Sequence, residues 1–598
     1  MSDYRAPLEE IQFALETCGG LNEWVNTPGF EEAGEDLVAA VLDEAAKLAN
    51  EIIAPTNVIG DLKGAHIEGD TVVTPDEFKK VQEAFVEGGW STLAYPESLG
   101  GQGLPGTLAF AITEMVTSAN MAFSLQPLLT SGAIEAIIAH GSKEQIAKYV
   151  PNMVSAKWTG AMNLTEPGAG SDVGALKAKA EKQPDGSYKI SGQKIFITWG
   201  DHDLAENIIH LVLARLPGAP EGTRGISMFL VPKFHVNDDG SLGDRNDVRV
   251  VSLEHKLGIH GSPTCVMAFG ENDNCIGYIV GEENKGMRNM FTMMNHARVG
   301  VGLQGVSVAE RAYQHAAAFA QERIQSAEIG AKTRDAVAII RHPDVRRLLM
   351  TTRATVEAAR AIIYRNVWAF DRAHHASDPE VRRKAQGEAD LLTPLSKAYA
   401  TDIGVEGASL ALQVFGGMGF IEETGAAQFY RDSRIAPIYE GTNGIQALDL
   451  AGRKLNDAGG EHWKSLIEEM KEFAEGMDRG MKEYKDTLVD AVTALEDAAT
   501  TLFANGFENI VDTAAAATPY LRLFSTVVGA YLLCKQATEA ERRLAAHDGN
   551  PAFLRAKITT ARFYVEQILP TATALLGPIK AGSASLMEID DIDFCENR

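Results

Sequence analysis

Asn163-Leu164-Thr165-Glu166-Pro167-Gly168-Ala169-Gly170-Ser171-Asp172 is the stretch at which the chain changes character. Its proline, small residues and hydroxyls make a tight turn. Such a turn exposes backbone N–H groups and hydroxyls to the edge of a polar, planar ligand. Read alone, it serves equally well as a hairpin or crossover loop. From about 161 to 283 the apolar residues alternate or come in short β-rich runs: Tyr188–Thr198, Ile208–Ala214, Gly225–Val231, Val248–Leu253 and Thr264–Phe269. Pro184-Asp185-Gly186 and Asp238-Asp239-Gly240 punctuate them as turns. Within the first run, Lys194-Ile195-Phe196-Ile197-Thr198 carries a ring and, two residues on, a hydroxyl, which a regular strand places on one face.

Outward from this β segment the pattern is helical on both sides. Upstream, Val38, Val41, Leu42, Ala45 and Leu48 recur at three- and four-residue spacings. Phe110, Ile112 and Met115, then Ile134, Ile137 and Ile138, predict further helices, broken by the loop Tyr95–Gly101. Downstream, long helical patterns run from about 287 to 456, with a break at Gly416-Gly417-Met418-Gly419. Trp463, Leu466, Ile467, Met470 and Phe473 then stripe one face of a helical tail. The expected architecture is α+β in four segments: a helical 1–160, a β domain at 161–285, a helical bundle at 286–456 and an extra helical domain at 457–598.

Composition narrows the class. The 598 residues carry 55 Lys plus Arg against 81 Asp plus Glu, a net charge of −26. An anionic ligand must then be captured by a local pocket, and nucleic acid is an unsuitable partner. The five cysteines are scattered without a Cys-x-x-Cys, which predicts a reducing compartment and neither a disulfide framework nor a zinc ribbon. Met1–Pro7 has no apolar signal-peptide core, and the terminal Cys595-Glu596-Asn597-Arg598 is not a peroxisomal signal. The apolar run Leu523–Cys534, flanked by Arg522 and Lys535, falls short of the ~20 residues of a membrane span and reads as a buried helix. A cytoplasmic protein is expected.

Some motifs mislead. Gly101-Gln102-Gly103-Leu104-Pro105-Gly106 matches G-x-G-x-x-G but follows a loop in a helical region rather than a strand, so no Rossmann site is expected. Gly281–Gly286 continues into Met287-Arg288 instead of Lys-Ser/Thr and is no P-loop. No H-E-x-x-H or G-x-S-x-G occurs, so no metal site is expected. Tyr439-Glu440-Gly441-Thr442 offers a carboxylate between an aromatic residue and a glycine. Taken locally, it is as well explained by a helix boundary.

Five strings in order carry more weight: LTEPGAGSD from Leu164, SGQKIFIT from Ser191, HKLGIHGSPTC from His255, ALQVFGGMGF from Ala411 and RIAPIYEGTNGIQ from Arg434. Together they resemble the acyl-CoA dehydrogenase family, and the general pattern covers roughly residues 36 to 455. The resemblance implies an oligomeric (homodimeric or homotetrameric) α–β–α fold with FAD held between the β domain and the C-terminal bundle. It places Leu164 and Thr165 against the isoalloxazine, Phe196 packed on the flavin and Thr198 bonded to it; many members have Trp where Phe196 stands. Arg323 would reach the FAD pyrophosphate of a neighbouring subunit, Gln413 and Gly417 would close over the adenosine half, and Thr442 would contact the cofactor. Ser171, Arg298 and Gly441 would meet the acyl-CoA, and Glu440 would be the catalytic base.

An acyl thioester α-C–H is a very weak acid. The enolate-like charge must be stabilised at the thioester carbonyl, for which the resemblance offers a flavin ribityl hydroxyl and the Glu440 N–H. A carboxylate in an apolar, water-poor pocket is a better-matched base because its pKa rises. The implied product is a trans-2-enoyl-CoA, with an electron-transfer flavoprotein as the next electron acceptor. Length and the opening YRAPLEEIQFAL resemble the long bacterial subgroup that acts on 3-methylmercaptopropionyl-CoA, in dimethylsulfoniopropionate catabolism. Met287, Met290, Met293 and Met294 suit a thioether but equally suit a core. Alternatives are a general short- or medium-chain enzyme, an oxidase, and a nucleic-acid-binding protective protein of the same fold. The last calls for a basic tail, whereas residues 461–598 hold 14 Lys plus Arg against 22 Asp plus Glu.

Overall fold

The computed structural model describes residues 4–477, 479–505 and 509–595. Met1–Asp3 and Glu596–Arg598, on which the targeting expectations partly rest, lie outside the described residues. The described residues form two compact units, one of 40–300 with 4–6, the other of 7–39 with 301–595.

The first unit is built on an eight-stranded sheet. Its strand order is Val248–Leu253, Thr264–Phe269, Tyr188–Thr198, Ile276–Ile279, Ile226–Pro232, Asn207–Arg215 and Trp158–Asn163, with Lys179–Lys182 pairing beside Tyr188–Thr198 and Asn207–Arg215. Ile226–Pro232 is buried at every position, and Asn207–Arg215 at all but its last, as continuous apolar runs demand. Tyr188, Ile190, Phe229, Met267 and Phe269 fill the core against them. Trp158–Asn163 runs parallel to Asn207–Arg215 and delivers the chain into the 164–172 turn. It packs on the helix Met121–His140 at a close crossing: a Cβ on Gly160 would lie 2.5 Å from the Ala133 methyl. That helix is long and apolar enough to span a membrane, but 67% of its apolar window is buried inside this unit. Asn120 caps its N-terminus, accepting from the Phe123 N–H at 3.1 Å.

The second unit is helical. Its framework includes Pro343–His375, Pro379–Pro394 and Ala400–Val414, the last two joined by a π-turn at Leu395–Tyr399. The helix Gly286–Glu322 approaches that framework at glycines; a Cβ on Gly305 would stand 2.0 Å from the Ala400 carbonyl oxygen. The tail adds Glu461–Gly476, Lys485–Asn505, Ile510–Ala546 and Pro551–Phe563. Leu523–Cys534 lies in the middle of Ile510–Ala546 and is buried throughout, as a protein-core helix. The opening helix Leu8–Thr17 joins this unit: Phe13 packs with Ala540 and Leu554, and Glu16 pairs with Arg543 at 2.5 Å.

The five runs expected as strands all form. Trp158–Asn163, Lys179–Lys182, Ile276–Ile279 and three two-stranded hairpins were not anticipated. His375 is exposed, bonds the Pro28 carbonyl at 3.1 Å and packs against the Phe30 ring.

Candidate active site

In the sheet unit, the 164–172 turn is stapled to the strand Tyr188–Thr198 by a buried ion pair that sequence reading missed. Lys194 has no solvent exposure; its Nζ donates to the Leu164 carbonyl at 3.0 Å and to Glu166 Oε1 at 2.8 Å. Glu166 also accepts from the Lys177 and Ala178 N–H groups, and the Thr165 carbonyl accepts from the Ile195 N–H at 2.9 Å. Burial lowers the Lys194 pKa to about 8, against the pull of Glu166. Burial would raise Glu166, but Lys194 and the two N–H groups outweigh it and hold the carboxyl below its ordinary value. The sequence offered only the two residue types, with nothing local to pair them across 28 positions.

Phe196 occupies a bulge. Cys265 faces Ile197 and Met267 faces Lys194, so two residues of this strand oppose one of the next. Phe196 takes φ +60°, a region costly for an aromatic residue, and the residue is 58% exposed. The strict alternation expected from sequence is therefore broken at this residue. Thr198 follows, half-buried and paired with Thr264, and the strand end is anchored by Trp199, whose indole donates to the Ala122 carbonyl at 3.2 Å. Leu164 and Thr165 are half-buried and Ser171 is exposed at the turn's far end. Arg298 is buried at 5% exposure, its guanidinium 5.8 Å from the Phe291 ring.

In the helical unit, Glu440 lies in a loop whose backbone is unusual. Glu440 has φ +53° and Gly441 φ +84°, consecutive left-handed residues of which only the glycine adopts this without cost. The loop is closed by the Asn443 N–H donating to the Pro437 carbonyl at 3.0 Å, and Thr442 caps the helix Asn443–Leu448, accepting from the Ile445 N–H. Beside Glu440, the Tyr439 hydroxyl donates to Gln304 Oε1. Burial, and then the Glu440 carboxylate, push the Tyr439 phenol well above its ordinary pKa, so it stays a neutral donor. Gln304, which sequence reading passed over, is 2% exposed and carried no sequence signal beyond a polar residue in an apolar helix.

Gln413 is exposed at the end of Ala400–Val414, and Gly417 lies four residues on in an exposed 3₁₀ turn, so these two are neighbours in chain and in structure. Arg323 is exposed just past Gly286–Glu322, its N–H donating to Phe319 and its carbonyl accepting from Ile339.

Four family models cover most of the chain in sequence order. They are the acyl-CoA dehydrogenase N-terminal domain at 39–157, the middle domain at 161–271, the C-terminal domain at 284–455 and an acetyl-CoA dehydrogenase C-terminal-like domain at 466–590. The chain belongs to the acyl-CoA dehydrogenase family. It is a flavin-dependent oxidoreductase with FAD as cofactor, in the long form that carries an extra C-terminal domain. It is 45% identical to the 3-methylmercaptopropionyl-CoA dehydrogenase of Ruegeria pomeroyi over 96% of this chain and 97% of that one. It is 36% identical to a butyryl-CoA dehydrogenase of Syntrophomonas wolfei over 99% of each. Its fold matches an acyl-CoA dehydrogenase of Bacillus anthracis complexed with FAD, with a TM-score of 0.72 and 22% identity over 94% of this chain and 90% of that one.

Proposed function

We propose that the enzyme oxidises 3-methylmercaptopropionyl-CoA to 3-methylthioacryloyl-CoA, with Glu440 as the base that removes the α-proton. The single observation that carries the substrate is the 45% identity, end to end, to a dehydrogenase of that name. Oxidation of a plain short-chain acyl-CoA is the second reading, favoured by the full-length likeness to a butyryl-CoA dehydrogenase.

A planar cofactor fits the sheet unit's residues. Phe196, a residue more than half exposed, stands on a bulge whose neighbouring turn is locked by Lys194 and Glu166. An exposed aromatic residue held that firmly suits stacking on a flavin. Leu164 and Thr165 would border FAD, Thr198 would bond it, and Arg323, Gln413, Gly417 and Thr442 would contact its remaining length. When bound, FAD supplies the two-electron acceptor for the hydrogen lost from the β-carbon. Glu440 accepts the α-proton on its carboxylate, and its backbone N–H donates to the thioester carbonyl as negative charge builds there. Gly441 leaves room for the thioester, Arg298 sets a positive charge toward the CoA portion and Ser171 approaches the ligand. A homodimer or homotetramer in the cytoplasm, passing electrons to an electron-transfer flavoprotein, completes the proposal.

The test is anaerobic bleaching of the bound flavin with 3-methylmercaptopropionyl-CoA beside butyryl-, octanoyl- and palmitoyl-CoA. Fast bleaching by the thioether substrate alone is the expected result. Preference for a plain acyl-CoA keeps the dehydrogenase and discards this substrate.

A further inference from the structure

Three residues after Glu440, the Asn443 side chain uses both ends of its amide. Its Nδ2 donates to Asp402 Oδ1 at 2.7 Å, to Thr401 Oγ1 at 3.0 Å and to the Ala398 carbonyl at 3.1 Å. Its Oδ1 accepts from Lys397 Nζ at 2.8 Å. All four partners lie in or directly after the π-turn Leu395–Tyr399, and Lys397 is fully buried there. A π-turn interrupts the regular helical ladder and is a frequent feature of functional sites.

The tail holds the same turn from its other side. The Tyr564 hydroxyl donates to the Thr526 carbonyl at 3.2 Å and lies 2.8 Å from the Tyr399 hydroxyl, which donates to it. Arg522 sits 5.3 Å above the Tyr399 ring and is itself fixed by two bonds to Glu406 at 3.0 Å each. Between these contacts is a cavity of about 270 Å³, bounded by Asp402 and Glu406, by Asn443 and Ala447, and by Leu521 and Arg522. The tail therefore meets this region through discrete polar contacts as well as through packing.

We propose that Asn443 is a positioning residue for Glu440, and that the tail shares in the positioning by holding, through Tyr564 and Arg522, the π-turn on which Asn443 is fixed. This rests on the reading of Glu440 as the base. The connection is short and stiff. The Pro437–Asn443 loop is closed on itself by the Asn443 N–H, so a shift of Asn443 moves the loop that bears Glu440. That loop already holds Glu440 at φ +53°, a conformation that persists only when its surroundings over-determine it. Burial keeps the Asp402 carboxyl above its ordinary pKa despite the Asn443 bond.

The experiment compares FAD-loaded Asn443→Ala, Tyr564→Phe and Glu440→Gln enzymes with the wild type, using 3-methylmercaptopropionyl-CoA and butyryl-CoA. For Asn443→Ala, kcat per bound flavin is expected to fall by about 10- to 100-fold with KM little changed, as a displaced catalytic group requires. The acid limb of kcat against pH should move with it, because the carboxylate's surroundings change. Tyr564→Phe loses one hydroxyl and should shift both readouts the same way by less. A lowered melting temperature with kcat per flavin and acid limb unchanged in Asn443→Ala would reduce the clamp to a stabilising contact and overturn the proposal. Unchanged Tyr564→Phe kinetics would overturn the tail's share. If Asn443→Ala fails to fold, Tyr564→Phe decides alone. Turnover retained by Glu440→Gln would show instead that the base itself is misassigned, and the positioning proposal falls with it.

Discussion

Glu440 and Lys194 illustrate what single residues contribute. Glu440→Gln keeps size and polarity but cannot take a proton. Turnover is expected to fall by roughly 10²–10⁴-fold while FAD stays bound, read as steady-state kcat beside the flavin's visible absorption. Lys194→Met strands the Glu166 carboxylate in a buried site. A loss of about 3–5 kcal/mol of stability is expected, with earlier release of FAD on heating; an unchanged flavin-release temperature would remove the staple from the account. Motif reading reached Glu440 and Phe196 as residue types. It did not reach their backbone angles, because a positive φ outside glycine is imposed by the surrounding packing and leaves no mark in local composition. The partnership of Lys194 with Glu166 is likewise a contact across 28 positions of chain.

At the scale of elements, periodicity served long segments well and short ones poorly. Tyr188–Thr198 is long and carries β-branched and aromatic residues, Asn207–Arg215 is a near-continuous apolar run, and both were legible. Lys179–Lys182 reads KAEK and forms a strand only because Tyr188–Thr198 offers it an unpaired edge. Trp158–Asn163 is short and rich in small residues, and its burial against Met121–His140 decides its state. Helix contacts depend on glycines in the same way. Gly305→Ala would press a methyl group onto the Ala400 carbonyl at the framework crossing, where neither backbone has room to move. A cost of about 1–3 kcal/mol is expected, seen as a lower midpoint in thermal or urea unfolding; an unaltered midpoint would mean the crossing relaxes freely.

Across the whole molecule, the tail and the opening helix are tied to the helical framework by buried charge. Lys557 Nζ lies 2.8 Å from Glu10 and 2.7 Å from Glu357, Arg353 lies 2.7 Å from Glu357, and Arg360 lies 3.0 Å from Glu310. Burial, then repulsion from Glu357, raises the Glu10 pKa from 4.5 to about 7, whereas Lys557 and Arg353 hold Glu357 below its ordinary value against the effect of burial. Because Glu10 binds its proton more tightly when folded, the folded state holds more protons than the unfolded state between these two values. Its contribution to stability is thus full below pH 4.5 and is lost as pH rises to about 7. Urea unfolding across that interval should show this falling component in the wild type and not in Glu10→Gln; identical slopes would refute it. The tail helix Ile510–Ala546 buries apolar residues from Ala516 to Ala540, so deleting 461–598 should leave a chain that aggregates, checked by solubility and limited proteolysis.

By itself the sequence determined the order of helical and β segments, the family, and the identity of the residues proposed for chemistry, because periodicity and short motifs are properties of consecutive residues. Only the tertiary structure decided the bulge that exposes Phe196, the Lys194–Glu166 staple, the left-handed Glu440 loop and the Asn443 clamp, together with the place of the tail and opening helix in one unit with the framework. The physical reason is common to all of them. Buried polar groups must find partners wherever the fold brings one, and those partners lie from tens to hundreds of residues away, beyond the reach of any local pattern.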